Sequence, residues 1–123
     1  FTFVGSKANN VLAEFYSDAD ILISSSFFES FPLPQIEAMA CGTPVVTTQY
    51  GTEDYANDGV NALVVEPKKP ELMASAIIRL IEDGSLYVKL AKAGPIMAKN
   101  FTWENAAKDM EQILMSELKK AST

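Results

Sequence analysis

The chain has 123 residues, of which 48% are hydrophobic and 21% are charged, and its formal net charge is −6. This length and composition suit a single globular domain, while the negative charge argues against binding to nucleic acid, which needs clustered Lys and Arg. With one Cys and no His, the chain cannot by itself supply an internal disulfide, a Cys/His zinc site, or a Ser–His or Cys–His catalytic pair.

The first predicted element is a strand in the apolar run Phe1–Val4. No initiator Met and no signal-peptide pattern precede this run, so we expect the chain to be a fragment of a longer protein. Similar β-branched runs follow at Ile21–Ser24, Val45–Thr48 and Ala62–Val65. Their nearly continuous hydrophobicity is typical of strands covered on both faces, so the sequence predicts an α/β fold with about four parallel strands and helices on both faces.

Helical patterns lie between these strands. A short second helix is predicted from about Pro34 to Cys41, and Gly42 closes it. The segment Asn57-Asp58-Gly59 has the side chains and the backbone freedom of a tight turn before the last strand. The apolar side of the first helix comprises Val11, Leu12, Phe15, Tyr16 and Ala19.

Three helical segments follow the last strand. The first begins at Pro70 and stops at Gly84. The second, residues 85–98, is expected to bend or break at Gly94-Pro95, because proline lacks the amide donor and clashes with the preceding turn. Thr102 can cap the last helix. We expect the inward face of that helix to be core, and it comprises Trp103, Ala106, Met110, Ile113, Leu114 and Leu118.

The loop between the second strand and the second helix is the candidate site for chemistry. In open α/β sheets, ligands bind beyond the carboxyl ends of the strands, and this loop leaves one of those ends. A helix that begins near Phe31 to Pro34 directs free backbone amides and a partial positive charge toward that place, which suits a diphosphate.

Two acids flank the predicted start of this helix. Glu29 lies in the loop and Glu37 lies about one turn into the helix, so both can face one ligand at different depths. A carboxylate accepts hydrogen bonds from two neighbouring hydroxyls, which makes Glu suited to sugar and ribose diols. Each Glu taken alone is also explained as a solvated acid in the first turn of a helix.

The whole string from Glu29 to Val46 is more specific than either acid. It reads Glu-Ser-Phe-Pro-Leu-Pro-Gln-Ile-Glu-Ala-Met-Ala-Cys-Gly-Thr-Pro-Val-Val. This string resembles the signature of the family 4 glycosyltransferases, Glu-Gly-Phe-Gly-Leu-Pro-x-x-Glu-Ala-Met-Ala-x-Gly-x-Pro-Val-Val. The similarity extends over nearly the whole chain, for example at Phe3 to Gly5, Asp58-Gly59 and Phe101 to Glu104.

The resemblance implies the GT-B fold, in which two Rossmann-like domains hold a nucleotide-sugar donor in the cleft between them. Residues 1–123 would then be part of the C-terminal, donor-binding domain, with the acceptor domain and the start of this domain upstream. The activity implied is retaining transfer of a hexosyl or related group to an acceptor hydroxyl of a glycan, lipid or small molecule, in glycan biosynthesis. No cofactor and no bound metal are expected.

The resemblance also implies roles for individual residues. Glu29 would hold hydroxyls of the transferred sugar and is the candidate catalytic residue, without being assigned as a nucleophile. Glu37 would hold the ribose hydroxyls. Backbone amides around Phe31 and Leu33 would bind the sugar and the diphosphate. The expected donor-binding residues are Glu29, Ser30, Phe31, Pro32, Leu33 and Glu37.

The sequence departs from the family pattern in the same loop. Ser30 and Pro32 replace two glycines of the signature, and Pro32 removes one amide donor and stiffens the loop. The resemblance implies that the basic residues that neutralise the diphosphate lie upstream of this chain. Lys7 is the nearest basic residue in sequence, but it is better explained as a solvated residue at the start of a helix.

Other interpretations fit part of the pattern. A nucleotide-sugar epimerase on the same fold would cleave the same bond without an acceptor, and a non-catalytic remnant would bind a partner protein through its helices. A flavodoxin-like signalling domain fits the sheet but lacks the acidic cluster such a domain needs. We expect the fragment alone to be inactive and to be able to self-associate through its last helix. We expect the enzyme to be cytoplasmic, and the alternative is peripheral attachment to a membrane through the missing domain.

Overall fold

A computed structural model describes residues 1–121 of the chain. It contains five helices and three strands in this part of the chain. In chain order these are α1 (Asn9–Asp18), β1 (Leu22–Ile23), α2 (Leu33–Ala40), β2 (Val45–Thr48), β3 (Leu63–Val65), α3 (Pro70–Glu82), α4 (Gly84–Ala98) and α5 (Trp103–Ala121).

The three strands form one parallel sheet in the order β1-β2-β3. Leu22 of β1 is paired with Val45 of β2, and Val46 of β2 is paired with Leu63 of β3. Because the strands are parallel, their carboxyl ends lie at one edge of the sheet. The predicted α/β fold with a parallel sheet is confirmed.

The predicted strand Phe1–Val4 is wrong. In the structure this run forms no strand, and Phe1 and Phe3 are almost fully exposed. A strand needs a neighbour to satisfy its backbone N–H and C=O groups, and no strand among residues 1–121 pairs with this run. The sheet therefore has three strands instead of about four.

The core lies on both faces of β2. Side chains alternate along a strand, so Val45 packs in a cluster with Ile36 and Met39 of α2, whereas Val46 packs in a second cluster with Leu80 of α3 and Leu90 of α4. All four residues of β2 are buried. The prediction of helices on both faces of the sheet is confirmed.

The α4 helix continues through Pro95, although the sequence predicted a bend or break at Gly94-Pro95. Gly94 is buried where α4 crosses α2 and lies close to Met39. Packing against α2 thus holds the segment helical across the proline, which compensates for the amide donor that Pro95 lacks.

The last helix differs more from expectation. Thr102 does cap it, since its hydroxyl accepts a hydrogen bond from the Asn105 amide at 3.1 Å. However, no described residue of α5 is buried, and Trp103 is 90% exposed. The prediction that the apolar face of α5 forms core is wrong, because none of the other elements in residues 1–121 covers it.

The crossing of α4 over α2 gives a first test of the packing. A methyl group on Gly94 would place its carbon 3.0 Å from the Met39 carbonyl oxygen and 3.2 Å from the Met39 Cβ. We expect Gly94→Val to lower the free energy of unfolding by about 1–3 kcal/mol, because the added carbons overpack this contact. Denaturant titration followed by circular dichroism measures the loss.

Gly84 at the start of α4 provides the matched control, since a side chain there would meet nothing within 4 Å. We expect Gly84→Val to change the free energy of unfolding by no more than about 0.5 kcal/mol. If the two variants proved equally stable, Gly94 would not be a packing contact.

A second test concerns the cap of α4. Asp83 accepts hydrogen bonds from the Ser85 hydroxyl at 2.6 Å and from the Leu86 amide at 2.9 Å. These bonds, the Ser85 hydroxyl first, hold the pKa of Asp83 below its usual value. Because the folded pKa is the lower one, the stabilisation is complete above the unfolded pKa of about 3.9 and is lost as the pH falls through the folded pKa.

We therefore expect Asp83→Ala to lower Tm at pH 7, and the difference from the unsubstituted protein to shrink below about pH 4. Thermal melts between pH 7 and pH 3 measure this difference. Glu14→Ala on α1 is the control, because the Glu14 side chain makes no hydrogen bond or ion pair with the described residues. A difference for Asp83→Ala that stayed constant down to pH 3 would rule out the charged cap.

Candidate functional site

The candidate site lies at the carboxyl edge of the sheet, in the loop from β1 to α2. An open cavity of about 440 Å³ is formed there by the end of β1, the loop and the first turn of α2. The residues that line it are Leu22, Ile23, Ser24, Glu29, Phe31, Pro32, Leu33, Pro34 and Gln35. The structure thus brings together four of the six predicted site residues, Glu29, Phe31, Pro32 and Leu33, while Ser30 is exposed outside the lining.

Glu29 is half-buried and lines this cavity. Its backbone amide donates to the Tyr50 carbonyl at 3.1 Å, which ties the loop to the segment after β2. Among the described residues, no group donates a hydrogen bond to its carboxylate. Both carboxylate oxygens are therefore available to hydroxyl groups of a ligand in the cavity.

The start of α2 supplies amide donors to the same cavity. Pro32 is the N-cap and Pro34 is inside the first turn, so neither offers an N–H. The amides of Leu33 and Gln35 remain, and neither donates to another group within residues 1–121. Two free amides at a helix N-terminus, where the helix dipole is positive, suit an anionic ligand.

Gln35 fixes the start of α2 to the sheet. Its side chain is buried, and its Nε2 donates to the Ser24 hydroxyl just beyond β1 at 2.7 Å. Phe31 packs its ring against Phe101 at a centroid distance of 5.4 Å. Nothing in the local sequence marks this helical Gln as buried, so the Gln35–Ser24 bond was not predicted.

Glu37 lies in a different place from Glu29. It is exposed on α2 and lines a separate cavity of about 220 Å³ between α1 and α2. There its Oε2 accepts a hydrogen bond from the Tyr16 hydroxyl at 3.1 Å. The two carboxylates therefore do not share one cavity, and a ligand that contacts both must extend from the first cavity to the second.

The other candidate charges lie outside these cavities. Lys7 is exposed in the segment before α1 and lines neither of them. Neither cavity has a Lys or an Arg in its lining. Over the described part of the chain, no cluster of three or more acids, Cys or His is arranged to hold a metal ion. Nor does any helix there have the length and apolarity to cross a membrane.

Residues 1–97 match the family model of the glycosyl transferases group 1. The chain belongs to this family. It is 36% identical over 107 residues to the D-inositol 3-phosphate glycosyltransferase of Rhodococcus opacus, a match that covers 86% of this chain and 24% of the relative. The chain therefore spans about a quarter of the length of that relative.

Solved structures of other proteins have a similar fold to this chain. Sucrose-phosphate synthase from Thermosynechococcus elongatus superimposes with a TM-score of 0.84 at 34% identity, over 99% of this chain and 31% of that one. Anabaena HepE, solved in complex with UDP-glucose, superimposes with a TM-score of 0.83 at 25% identity, over 94% of this chain and 32% of that one. The fold is that of the C-terminal domain of GT-B glycosyltransferases.

The contact between Tyr16 and Glu37 is open to direct measurement. Burial, and then the hydrogen bond and charge of Glu37, raise the pKa of Tyr16. We expect Glu37→Gln to lower the pKa of Tyr16 without returning it to its usual value, because the burial persists. Titration of the tyrosine ring carbons by NMR measures the change.

Two references make this test specific. Burial raises the pKa of Tyr55 to about 12, and we expect Glu37→Gln to leave it there. The substitution Glu14→Gln removes a charge from the helix that carries Tyr16 without touching the Tyr16–Glu37 bond, so we expect it to leave the pKa of Tyr16 unchanged. If Tyr16 did not respond to Glu37→Gln, the two side chains would not be bonded in solution.

Proposed function

We propose that this chain is part of the donor-binding domain of a retaining, family 4 glycosyltransferase, which transfers a hexosyl group from a nucleotide sugar to an acceptor hydroxyl without a bound metal. The acceptor site would be supplied by another domain. The observation that supports this most is the Glu29 carboxylate, which is free of hydrogen-bond donors and lines a cavity beside the free amides of α2.

The chemistry of a nucleotide sugar suits this arrangement. Its diphosphate carries negative charge and its sugar carries neutral hydroxyls, so the phosphates belong at the amides of Leu33 and Gln35 and the sugar belongs at Glu29. The reverse placement would set two anions side by side, which is unfavourable. The amides would also stabilise the charge that develops on the leaving diphosphate.

Glu37 would bind the ribose at the other side of the diphosphate. A nucleotide sugar carries its two diols at opposite ends of that group, so the two carboxylates need not share a cavity. The bond from Tyr16 occupies one lone pair of Oε2 and leaves Oε1 for the ribose hydroxyls. Glu29 would orient the sugar and support positive charge at the anomeric carbon, and Glu37 would contribute binding.

UDP-glucose is the donor for a first test, because it is the ligand in the HepE structure. We expect Glu29→Gln in the full-length protein to weaken UDP-glucose binding and to lower kcat/KM by about 10–100-fold, the effect of losing a hydrogen bond to a charged group. Its affinity for UDP should stay within about threefold. Glu37→Gln should weaken UDP and UDP-glucose to a similar degree, by about tenfold.

Glu14→Gln is the control for loss of an acid and should bind both ligands as the unsubstituted protein does. Calorimetry gives the affinities, and product analysis with and without an acceptor separates transfer from epimerisation. If neither Glu29→Gln nor Glu37→Gln changed the affinities, the assignment of these two residues would be wrong. If the protein formed an epimer of the donor sugar without an acceptor, its reaction would be epimerisation and not transfer.

A further inference from the structure

Two loops meet at the carboxyl edge of the sheet. The first follows β1 and carries Glu29, and the second follows β2. At the base of the contact, the Thr48 hydroxyl donates to the Ser26 carbonyl. Further out, the Glu29 amide donates to the Tyr50 carbonyl at 3.1 Å. The backbone of the first loop is thus attached at two points, to the last residue of β2 and to the loop that follows it.

Gly51 lies against the backbone of Glu29. A methyl group on Gly51 would place its carbon 1.7 Å from the Glu29 carbonyl oxygen and 2.5 Å from the carbonyl carbon. Contacts of a real Cβ are essentially never shorter than 3.0 Å. Any side chain at this position would therefore push the Glu29 backbone away by more than about 1 Å, a displacement large enough to impair a binding geometry.

The second loop is fixed by its own bonds. Tyr50 and Gly51 both adopt left-handed backbone, with φ of 78° and 85°, a conformation that is unfavourable for a tyrosine. The Gly51 amide donates to Glu53 Oε2 at 2.6 Å, and the Thr52 hydroxyl donates to the Thr48 carbonyl at 2.9 Å. The turn formed by Tyr50 and Gly51 is therefore a defined surface against which Glu29 rests.

The side chain of Glu29 has no such support. No described residue donates a hydrogen bond to its carboxylate, so the position of the carboxylate depends on where the backbone of Glu29 is held. We propose that Gly51 is a positioning residue for Glu29: the close approach that only a glycine permits sets the reach of the Glu29 carboxylate toward the transferred sugar. This inference rests on the proposed function of Glu29.

The test compares Gly51→Ala with Gly59→Ala in the full-length protein. Gly59 also has a positive φ, of 66°, but a side chain there would meet nothing within 4 Å. Both variants suffer the same kind of backbone strain, and only the first disturbs Glu29. We expect Gly51→Ala to weaken UDP-glucose binding by about 10–100-fold while UDP affinity changes less than about threefold, and Gly59→Ala to leave both ligands unchanged.

The double variant Gly51→Ala/Glu29→Gln identifies the route of the effect. If Gly51 acts through Glu29, adding Gly51→Ala to Glu29→Gln will cause no further loss of UDP-glucose affinity, because the interaction is already absent. A general structural role would instead weaken UDP and UDP-glucose alike, and its effect would persist in the Glu29→Gln background. That result would overturn the inference.

If Gly51→Ala does not fold, Thr48→Val provides a second test of how the Glu29 loop is positioned. It removes the bond to Ser26 without changing backbone strain, and we expect a smaller loss, about threefold, that is again confined to UDP-glucose. Equal ligand affinities in Thr48→Val and the unsubstituted protein would then refute the positioning role. The proposed function fails on a different result, in which neither Glu29→Gln nor Glu37→Gln changes the affinity for UDP-glucose.

Discussion

The burial of β2 on both faces is the constraint on which the rest of this domain depends. Four consecutive residues, Val45–Thr48, are buried, so one short strand anchors the α2 side of the sheet and the α3–α4 side together. Its parallel pairing with β1 and β3 brings three carboxyl ends to one edge. The loops that carry Glu29 and Gly51 leave two of these ends, so the same strand that forms the core also brings the site loops into contact.

At this edge of the sheet, the groups that can bind negative charge are mainly backbone amides. The cavity at Glu29 has no basic residue in its lining, and the ammonium of Lys68 lies over the ring of Phe27 in the same loop, 5.1 Å from its centroid. Anionic groups of a ligand would therefore meet the amides of Leu33 and Gln35 first. The amides are held by the fold before any ligand arrives, so their contribution requires little reorganisation.

The sequence predicted the parts of the fold in which local pattern and tertiary packing agree. The runs at β2 and β3 are apolar and β-branched, and α2 is bounded by prolines and by Gly42, so their types and positions were predicted correctly. The runs at Phe1–Val4 and in α5 are equally apolar, yet neither is covered in residues 1–121. An apolar pattern indicates that a segment favours burial, but it does not indicate which surface buries it.

For the candidate site too, the sequence predicted the local features and missed the contacts between distant residues. Glu29 and the start of α2 followed from the loop and its helix signals. The Tyr16–Glu37 bond joins residues 21 positions apart, and the approach of Gly51 to Glu29 spans a comparable distance along the chain, so no local pattern reports either contact. Glycine is common where backbone must approach another group closely, and Gly51, in the loop after the buried strand β2, could have been singled out on that ground.

The replacements of glycine in the Glu29 loop can now be interpreted in terms of conformation. Pro32 has φ of −79° and ψ of 98°, a backbone region that proline adopts without strain. Among described non-glycine residues, positive φ occurs at Tyr50 and Lys68 and not at Ser30 or Pro32. The freedom of glycine is therefore not needed in the loop before α2, and the change removes one amide donor while stiffening the segment. Glycine is needed instead in the facing loop, at Gly51, where the two backbones touch.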